Sequence, residues 1–470
     1  MARCGPMAEP AADDNGVQTA APGLLSRAEA HRSIVHGVVW VSALALLGKL
    51  ASAAKEMAVA WRHGTSAAVD AYLFTYNLIA WPIAVWFGVL LAVLVPLLSR
   101  LQIDRSAEAR SQARLFRAEL LGTSMLLAGA LGLATWAALQ LILGAGWTGL
   151  PAGTAHLARE ASAPMAALVP LGMLVCLLSS WMLAQGRHSN TLMESLPAIV
   201  IMASVLLWPS RAIGPLVWGT VAGFGLQLAC LALALRRQNG IMPPRLGLSA
   251  SHWPAFWRGF GPMLFSQSLL VTAVLVDQFS AIHLPVGSVA TLSYANRILA
   301  LLIAVGVTAV SRATLPVFSS AHALDPLVVK QLAERWAWMM FGAGLLVIAG
   351  GWLLGGLVVR LLFENGAFGP SDTASVTRVL QHGLLQLPFY FSGIVMMSWL
   401  SALGRYRGIL VVSAGALALK IAANFWLAPR VGLVGIQWST AAMHAFFLLG
   451  LQVVMLWPSD IGWRQRRTPP

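Results

Sequence analysis

Long apolar stretches alternate with short polar segments over almost the whole of the chain. Each apolar stretch is close to, or longer than, the roughly 20 residues that an α-helix needs to cross a bilayer. The pattern therefore predicts an all-α polytopic membrane protein with twelve transmembrane helices. The predicted spans are residues 35–60, 69–98, 119–143, 163–184, 191–210, 212–235, 255–283, 288–318, 336–362, 376–403, 408–428 and 432–457.

The composition agrees with this interpretation and the polar segments divide the chain. Hydrophobic residues make up 58% of the chain and charged residues only 10%, whereas soluble domains carry about 25% charged residues. The sequence predicts two six-helix lobes joined by a cytoplasmic linker, with a disordered cytoplasmic tail before them and a shorter cytoplasmic tail after them. The predicted boundaries are 1–33 for the first tail, 34–237 for the N-terminal lobe, 238–254 for the linker, 255–457 for the C-terminal lobe and 458–470 for the second tail.

The positive charges indicate the orientation of the protein in the membrane. The chain has 31 Lys and Arg against 17 Asp and Glu, a formal net charge of +14. In a soluble protein this excess would suggest nucleic-acid binding. Here most cations fall in the tails and the even-numbered loops, so the positive-inside rule places both termini in the cytoplasm. We therefore expect no nucleic-acid partner.

An internal repeat relates the two lobes. The segment PLGMLVCLLSSWMLAQGR, which begins at Pro170, matches PFYFSGIVMMSWLSALGR, which begins at Pro388. A second pair of matching segments lies around Trp218 and Trp438, and its two copies are separated by nearly the same number of residues as those of the first pair. Because six helices bring the chain back to the same side, the repeats are parallel. Transporters of this build bind their substrate in a central cleft between the halves.

The sequence contains no pattern typical of catalysis. There is no Walker A motif, and the three cysteines lack the spacing of a metal site or a disulfide framework. No pair of carboxylates stands in a large loop outside the membrane. We therefore predict a transporter rather than an enzyme, with no catalytic residue, metal or cofactor.

Four cations lie inside predicted spans, namely Lys49, Lys55, Arg297 and Lys420. Charged residues within a bilayer are costly and usually face a cavity or a partner. Lys49, Lys55 and Arg297 lie on helices 1 and 8, which we expect to border the cleft. Lys420 lies on another helix and is interpreted as structural or interfacial, as is Glu194.

Three anions accompany these cations on the equivalent helices of the two halves: Glu56, Asp70 and Asp277. Lys49 and Glu56 share one helical face, because positions i and i+7 stack at 3.6 residues per turn. Simpler roles remain open for several of these residues. Lys49 and Glu56 would form a buried pair, Lys55 would reach the membrane interface, Asp277 would pair with Arg297 across helices 7 and 8, and Asp70 would cap a helix.

Four segments resemble the MurJ/MviN lipid II flippases of the multidrug/oligosaccharidyl-lipid/polysaccharide exporter superfamily. GKLASAAKE at 48–56 resembles the family pattern Arg-x-Leu-Gly-x-x-Arg-Asp, with lysine in place of both arginines. DAY at 70–72 is similar to the family's Asp-Ala-Phe. LPVGSVATLSYANR at 284–297 and LFENGAF at 362–368 resemble the segments that open helix 8 and follow helix 9.

The resemblance implies a flippase that moves a polyprenyl-pyrophosphate-linked glycan precursor from the inner to the outer leaflet by alternating access. It further implies a bacterial cytoplasmic (inner) membrane location and, as partners, the anionic lipid-linked glycan, membrane lipids and proteins of envelope glycan synthesis. The cationic side chains of the cleft would bind the substrate, and the anionic side chains of the cleft would tune the cavity or couple to ions. The cations are Lys49, Lys55 and Arg297, and the anions are Glu56, Asp70 and Asp277.

Three departures from the family pattern leave the substrate open between lipid II and another lipid-linked oligosaccharide. The arginine pair of helix 2 is replaced by apolar residues at 79–83, a glutamate of helix 8 is replaced by Ala300, and twelve spans are predicted where the family usually has fourteen. Two alternatives also remain: a drug or cation antiporter of the same superfamily, and a non-transporting scaffold for envelope assembly. A cationic cleft favours an anionic substrate over a cationic drug.

Overall fold

The computed structural model describes residues 47–101, 107–146, 148–185, 193–208, 210–237, 242–319, 326–403 and 405–456. Within these ranges the chain is mostly helical and contains no β-strand. Both predicted tails, and the first part of predicted helix 1, lie outside the described residues.

Fifteen α-helices follow one another along the described chain, and two short helical segments of other types continue them. A π-helical turn, Leu90–Leu94, joins the second helix to the third, and a 3₁₀ turn, Leu384–Gln386, joins the twelfth to the thirteenth. The helices are α1 (47–63), α2 (Ala67–Val89), α3 (Val95–Leu101), α4 (Ala107–Gly144), α5 (Ala152–Ala166), α6 (Leu168–Ala184), α7 (Leu196–Leu207), α8 (Gly214–Arg236), α9 (Trp253–Ala281), α10 (Ser288–Ser319), α11 (Pro326–Phe363), α12 (Pro370–Gly383), α13 (Leu387–Ala402), α14 (Tyr406–Val431) and α15 (Leu433–Leu456).

Each of the twelve predicted spans has a helical counterpart in the described ranges. Nine helical stretches are long and apolar enough to cross a membrane, and α5 with α6 forms a tenth candidate that is bent by 42°. Pro164 and Pro170 flank this bend, where a proline removes a backbone donor from the helical ladder. The two remaining predicted spans correspond to α7 and α1. Helix α7 has only 12 residues, and α1 is described from residue 47 onward. The all-α polytopic fold is confirmed, and the count of twelve crossings stays a prediction.

The two halves pack in the same way, as the internal repeat predicts. In the first half α7 packs against α8, α4 against α6, α6 against α8, and α2 against α5. In the second half the corresponding pairs are α14 with α15, α11 with α13, α13 with α15, and α10 with α12. The same order of contacts in both halves establishes two related lobes.

Helix α2 provides much of the contact between the lobes, because it packs against both α9 and α10. At the end of the bundle where α1 meets α2, five hydrogen bonds cross from lobe to lobe, two of them to Asp70. They join Trp61 O to Ala367 N, Thr65 Oγ1 to Asp372 Oδ1, Asp70 to the start of α10, and Tyr294 Oη to Gly64 O. We call this the closed end of the bundle.

The linker between the lobes is attached to the first lobe at the opposite end. Glu119, on α4, is 2% exposed. Its carboxylate accepts hydrogen bonds from Ser249 N at 3.1 Å, Ala250 N at 3.0 Å and Trp253 Nε1 at 2.7 Å, and also from the Ser249 hydroxyl. Arg245 N donates to Ala118 O at 3.0 Å. The described part of the linker is therefore fixed to α4 before α9 begins.

Candidate substrate cavity

A cavity of about 570 Å³ lies between helices of both lobes. Its walls come from α1, α2, α6, the start of α7 and α8 in the first lobe, and from α10 and the end of α11 in the second. This volume is within the roughly 300–1,000 Å³ range of small-molecule sites. Among the described residues, none of α9, which corresponds to predicted helix 7, lines the cavity. The cavity is therefore less symmetric than the repeat suggested.

Glu56 joins the two lobes at one end of this cavity. Its Oε1 lies 2.6 Å from Lys55 Nζ and 3.0 Å from Arg297 Nε. Lys55 and Glu56 are on α1 and Arg297 is on α10, so one carboxylate bridges cations from both halves. A carboxylate removed from water needs such partners, because an unpaired buried charge is strongly destabilising. All three residues were predicted to lie in the cleft, and the structure brings them together.

Lys49 lies on the same face of α1, nearly two turns from Glu56, and also lines the cavity. It is exposed, as is Ser52 between them. The alternative of a buried Lys49–Glu56 pair is wrong, because Glu56 contacts Lys55 and Arg297 instead. These four charged side chains give the α1 and α10 wall more positive than negative charge, and it therefore suits an anionic ligand.

Two tyrosines of α2 line the cavity beside this charged group. The rings of Tyr72 and Tyr76 are stacked, with centroids 5.9 Å apart. The Tyr72 hydroxyl lies 2.8 Å from Thr220 Oγ1, which itself donates to Leu216 O. Tyr72 is therefore the donor in the first of these bonds, and this bond fixes its ring against α8.

Asp70 does not line the cavity, contrary to its expected position. It is 4% exposed, and its carboxylate accepts hydrogen bonds from Gly287 N at 2.5 Å and Ala290 N at 2.8 Å. These donors belong to the first turn of α10, where backbone N–H groups lack partners within the helix and attract a negative charge. The helix-cap alternative describes the contact correctly, except that Asp70 caps a helix of the other lobe.

Asp277 also lies away from the cavity lining, and its partner is not Arg297. Its Oδ2 is 2.9 Å from Lys420 Nζ, and its Oδ1 accepts a hydrogen bond from Asn424 Nδ2 at 2.9 Å. Lys420 also donates to Thr440 Oγ1 at 2.7 Å. Lys420 is 2% exposed, so the interfacial interpretation of this residue is wrong. Together these residues form a polar cluster within the second lobe, between α9, α14 and α15.

A second polar part of the cavity lining was not recognised from the sequence. It consists of Ser179 on α6, Glu194 just before α7, and Gln227 on α8, with Cys176 beside them. Glu194 was predicted to be structural or interfacial because it lies on a helix without other intramembrane charges. The available signal was the presence of isolated polar side chains in apolar stretches of three consecutive predicted helices.

The structure also shows what replaces two charged features of the family pattern. Ala300 lines the cavity, so the missing glutamate removes one negative charge from this wall. In the stretch 79–83 of α2, Ile79 is fully buried and Trp81 Nε1 donates to Thr272 Oγ1 on α9 at 3.4 Å. This part of α2 therefore packs against the second lobe and does not present cations to the cavity.

Two related helical lobes with a charged cavity at their interface define a membrane transport protein. The family is shown by the sequence: the family model described as "Lipid II flippase MurJ" matches residues 59–462, and the chain belongs to this family. The predicted family is thereby confirmed, and three of the four short segments that resemble it lie within the matched residues, whereas the segment at 48–56 lies outside them.

Two curated relatives carry the name "Probable lipid II flippase MurJ". The protein from Helicobacter pylori strain J99 is 30% identical over 208 residues, which are 44% of this chain and 45% of that protein. The protein from Bdellovibrio bacteriovorus is 26% identical over 241 residues, which are 50% of this chain and 46% of that protein. The chain thus spans under half of the length of the curated relatives that it matches.

Solved structures show the same fold. "Lipid II flippase MurJ, inward closed conformation" superimposes with a TM-score of 0.76 at 19% identity, covering 89% of this chain and 88% of that chain. An inward-facing multidrug resistance MATE family transporter of the MOP superfamily gives a TM-score of 0.72 at 15% identity, covering 87% and 94%. The chain therefore shares its fold with both structures.

Proposed function

We propose that this protein is a flippase that moves a polyprenyl-pyrophosphate-linked glycan precursor from the inner to the outer leaflet by alternating access. The observation that carries the proposal is the cationic wall formed by Lys49, Lys55 and Arg297 in a cavity between the lobes. Two relatives in the same family are named as probable lipid II flippases, which supports a lipid-linked precursor as the substrate.

The chemistry of the wall fits a pyrophosphate. Arg and Lys make charge-assisted hydrogen bonds to phosphate oxygens that are about twice as strong as neutral ones. Glu56 holds Lys55 and Arg297 in the absence of substrate. A bound pyrophosphate competes with this carboxylate for the same two cations, while Lys49 adds a further positive charge nearby.

The lobe contacts fit alternating access. The closed end is sealed by hydrogen bonds between the lobes, whereas the cavity extends from Glu56 and Arg297 towards the end that carries the linker. The positive-inside rule places the linker in the cytoplasm together with both termini, so the cavity faces inward in this state. Rocking of the lobes then breaks the contacts of the closed end and opens the cavity outward.

The transport step requires no covalent chemistry. The headgroup crosses with its bonds intact, and the polyprenyl chain stays in the lipid. A membrane potential, negative inside, favours outward movement of an anion by about 2.3 kcal/mol per charge per 100 mV. We place the protein in the bacterial cytoplasmic membrane, where enzymes of envelope glycan synthesis supply its substrate on the inner leaflet.

Two substrates fit the cavity charge equally well: lipid II and another lipid-linked oligosaccharide. The experiment that tests the proposal is depletion of the protein, followed by measurement of the polyprenyl-linked glycans in the inner leaflet. Accumulation of one of them identifies the substrate. If none accumulates while the protein is absent, the flippase proposal is wrong.

A further inference from the structure

The lining of the cavity divides into two parts of different chemistry. Residues from α1 and α10 supply cations, as described above. Residues from α6, the turn before α7, and α8 supply a hydroxyl, a carboxylate and an amide: Ser179, Glu194 and Gln227. Both parts line one cavity of about 570 Å³, so a single ligand can contact both.

We propose that Ser179, Glu194 and Gln227 form a saccharide subsite, which rests on the proposed flippase function. A carboxylate repels pyrophosphate, so Glu194 disfavours the phosphates in this part of the cavity and leaves them to the cationic wall. It accepts hydrogen bonds from the hydroxyl and amide N–H groups of a sugar. The Gln227 amide and the Ser179 hydroxyl each donate and accept, as a ring with both kinds of group requires.

The placement of Ser179 and Gln227 supports a fixed recognition surface. Ser179 and Gln227 are buried on the regular helices α6 and α8, and Glu194 is exposed at the start of the cavity wall. Side chains held on helices are positioned more precisely than those on loops. Consequently the subsite distinguishes a carrier lipid loaded with glycan from the same carrier lipid without it.

The test compares two farnesyl pyrophosphate diesters of equal charge: one whose terminal phosphate carries a methyl ester, called farnesyl pyrophosphate below, and one whose terminal phosphate is linked to one N-acetylhexosamine. Their affinities for the purified full-length protein are measured in nanodiscs. We expect at least tenfold tighter binding of the sugar-bearing probe to the unaltered protein. Glu194→Ala and Gln227→Ala should each reduce this preference at least threefold and leave the affinity for farnesyl pyrophosphate unchanged or slightly higher.

Two control variants separate this effect from others. Lys49→Ala should weaken both probes by a similar factor, because it acts on the pyrophosphate. Glu160→Ala removes an exposed carboxylate from α5, outside the cavity lining, and should change neither affinity. Thermal melting of each variant shows whether it is folded.

Cys176 offers a direct report of where the sugar lies, because it lines the cavity next to Glu194. With Cys4 and Cys230 replaced by serine, the sugar-bearing probe should slow maleimide modification of Cys176 severalfold more than farnesyl pyrophosphate does. If the unaltered protein binds both probes equally, or if Glu194→Ala weakens both equally, the subsite is wrong and the flippase proposal stands. If neither probe binds to the unaltered protein, the proposed function itself fails.

Discussion

Asp70 in the first lobe accepts a hydrogen bond from the backbone N–H of Gly287 in the second lobe, 2.5 Å away. The same carboxylate also accepts from Ala290 N, so one side chain of α2 caps α10. The contact is close: Gly287 has φ of +91°, and a Cβ placed on it would lie 2.7 Å from Thr65 O. This part of the closed end therefore depends on one carboxylate and on a glycine that lets the two lobes approach.

Removing this cap should favour opening of the closed end. Loss of a helix cap costs about 1 kcal/mol, and Asp70→Ala should therefore shift the equilibrium about fivefold towards the outward-open state. The reporter is Ser52→Cys in a background without other cysteines, because Ser52 lines the cavity. A membrane-impermeant maleimide added from outside should label it several times faster in the Asp70→Ala variant.

Asp70→Asn is the matched control, since its amide oxygen still accepts one hydrogen bond and the side chain keeps its size. The labelling rate of Asp70→Asn should lie between that of the unaltered protein and that of Asp70→Ala. Equal rates in Asp70→Ala and the unaltered protein would show that this contact does not hold the lobes together.

The cationic wall should be necessary for transport. Lys49→Ala and Arg297→Ala should each lower the rate of headgroup transfer at least tenfold in reconstituted vesicles, because each removes a charge-assisted contact to the pyrophosphate. Lys49→Arg keeps the charge and should retain most of the activity.

Arg360→Ala is the control for loss of a positive charge, because Arg360 is exposed on α11 and lies outside the cavity lining. Its transfer rate should be unchanged. Full activity of both Lys49→Ala and Arg297→Ala at normal expression would contradict the cationic-wall mechanism.

Much of the fold could be predicted from the sequence because hydrophobic length and charge asymmetry are properties of the chain itself. The repeat around Pro170 and Pro388 likewise predicted the matching helix packing of the two lobes. The triad of Lys55, Glu56 and Arg297 was predictable in location, since charges within a membrane must meet a partner or a cavity.

The partners of individual charges could not be predicted in the same way. Asp277 was expected near Arg297 because helices 7 and 8 are consecutive, yet α9 packs against α14 and brings Asp277 to Lys420. Glu194 was predicted to be structural or interfacial because it lies outside the helices that carry the other intramembrane charges, yet it lines the cavity. Such contacts depend on helix rotation and tilt, which hydropathy does not determine.

The Asp277–Lys420 pair should be important for stability of the second lobe. Lys420→Met leaves the Asp277 carboxylate without its cation, and breaking a buried pair in this way costs about 3–5 kcal/mol. The double variant Asp277→Asn with Lys420→Met removes both charges and should be less destabilised than Lys420→Met alone.

The free energies of unfolding can be compared by chemical denaturation of the protein in detergent, with thermal melting as a second measurement. The coupling energy between the two positions follows from the four proteins of the double-mutant cycle. A double variant that is no more stable than Lys420→Met would show that the pair is not a mutually compensating unit.

The attachment of the linker to α4 should depend on Glu119. Its carboxylate accepts hydrogen bonds from Ser249, Ala250 and Trp253, so Glu119→Ala releases the segment that precedes α9. Because Arg245 is exposed in this segment, trypsin should cut after it several times faster in the variant, as measured by mass spectrometry of the fragments. Glu108→Ala, an exposed position on the same helix, should leave the rate unchanged. If cleavage at Arg245 is equally slow in all three proteins, then packing around the linker holds it to the first lobe without the Glu119 carboxylate.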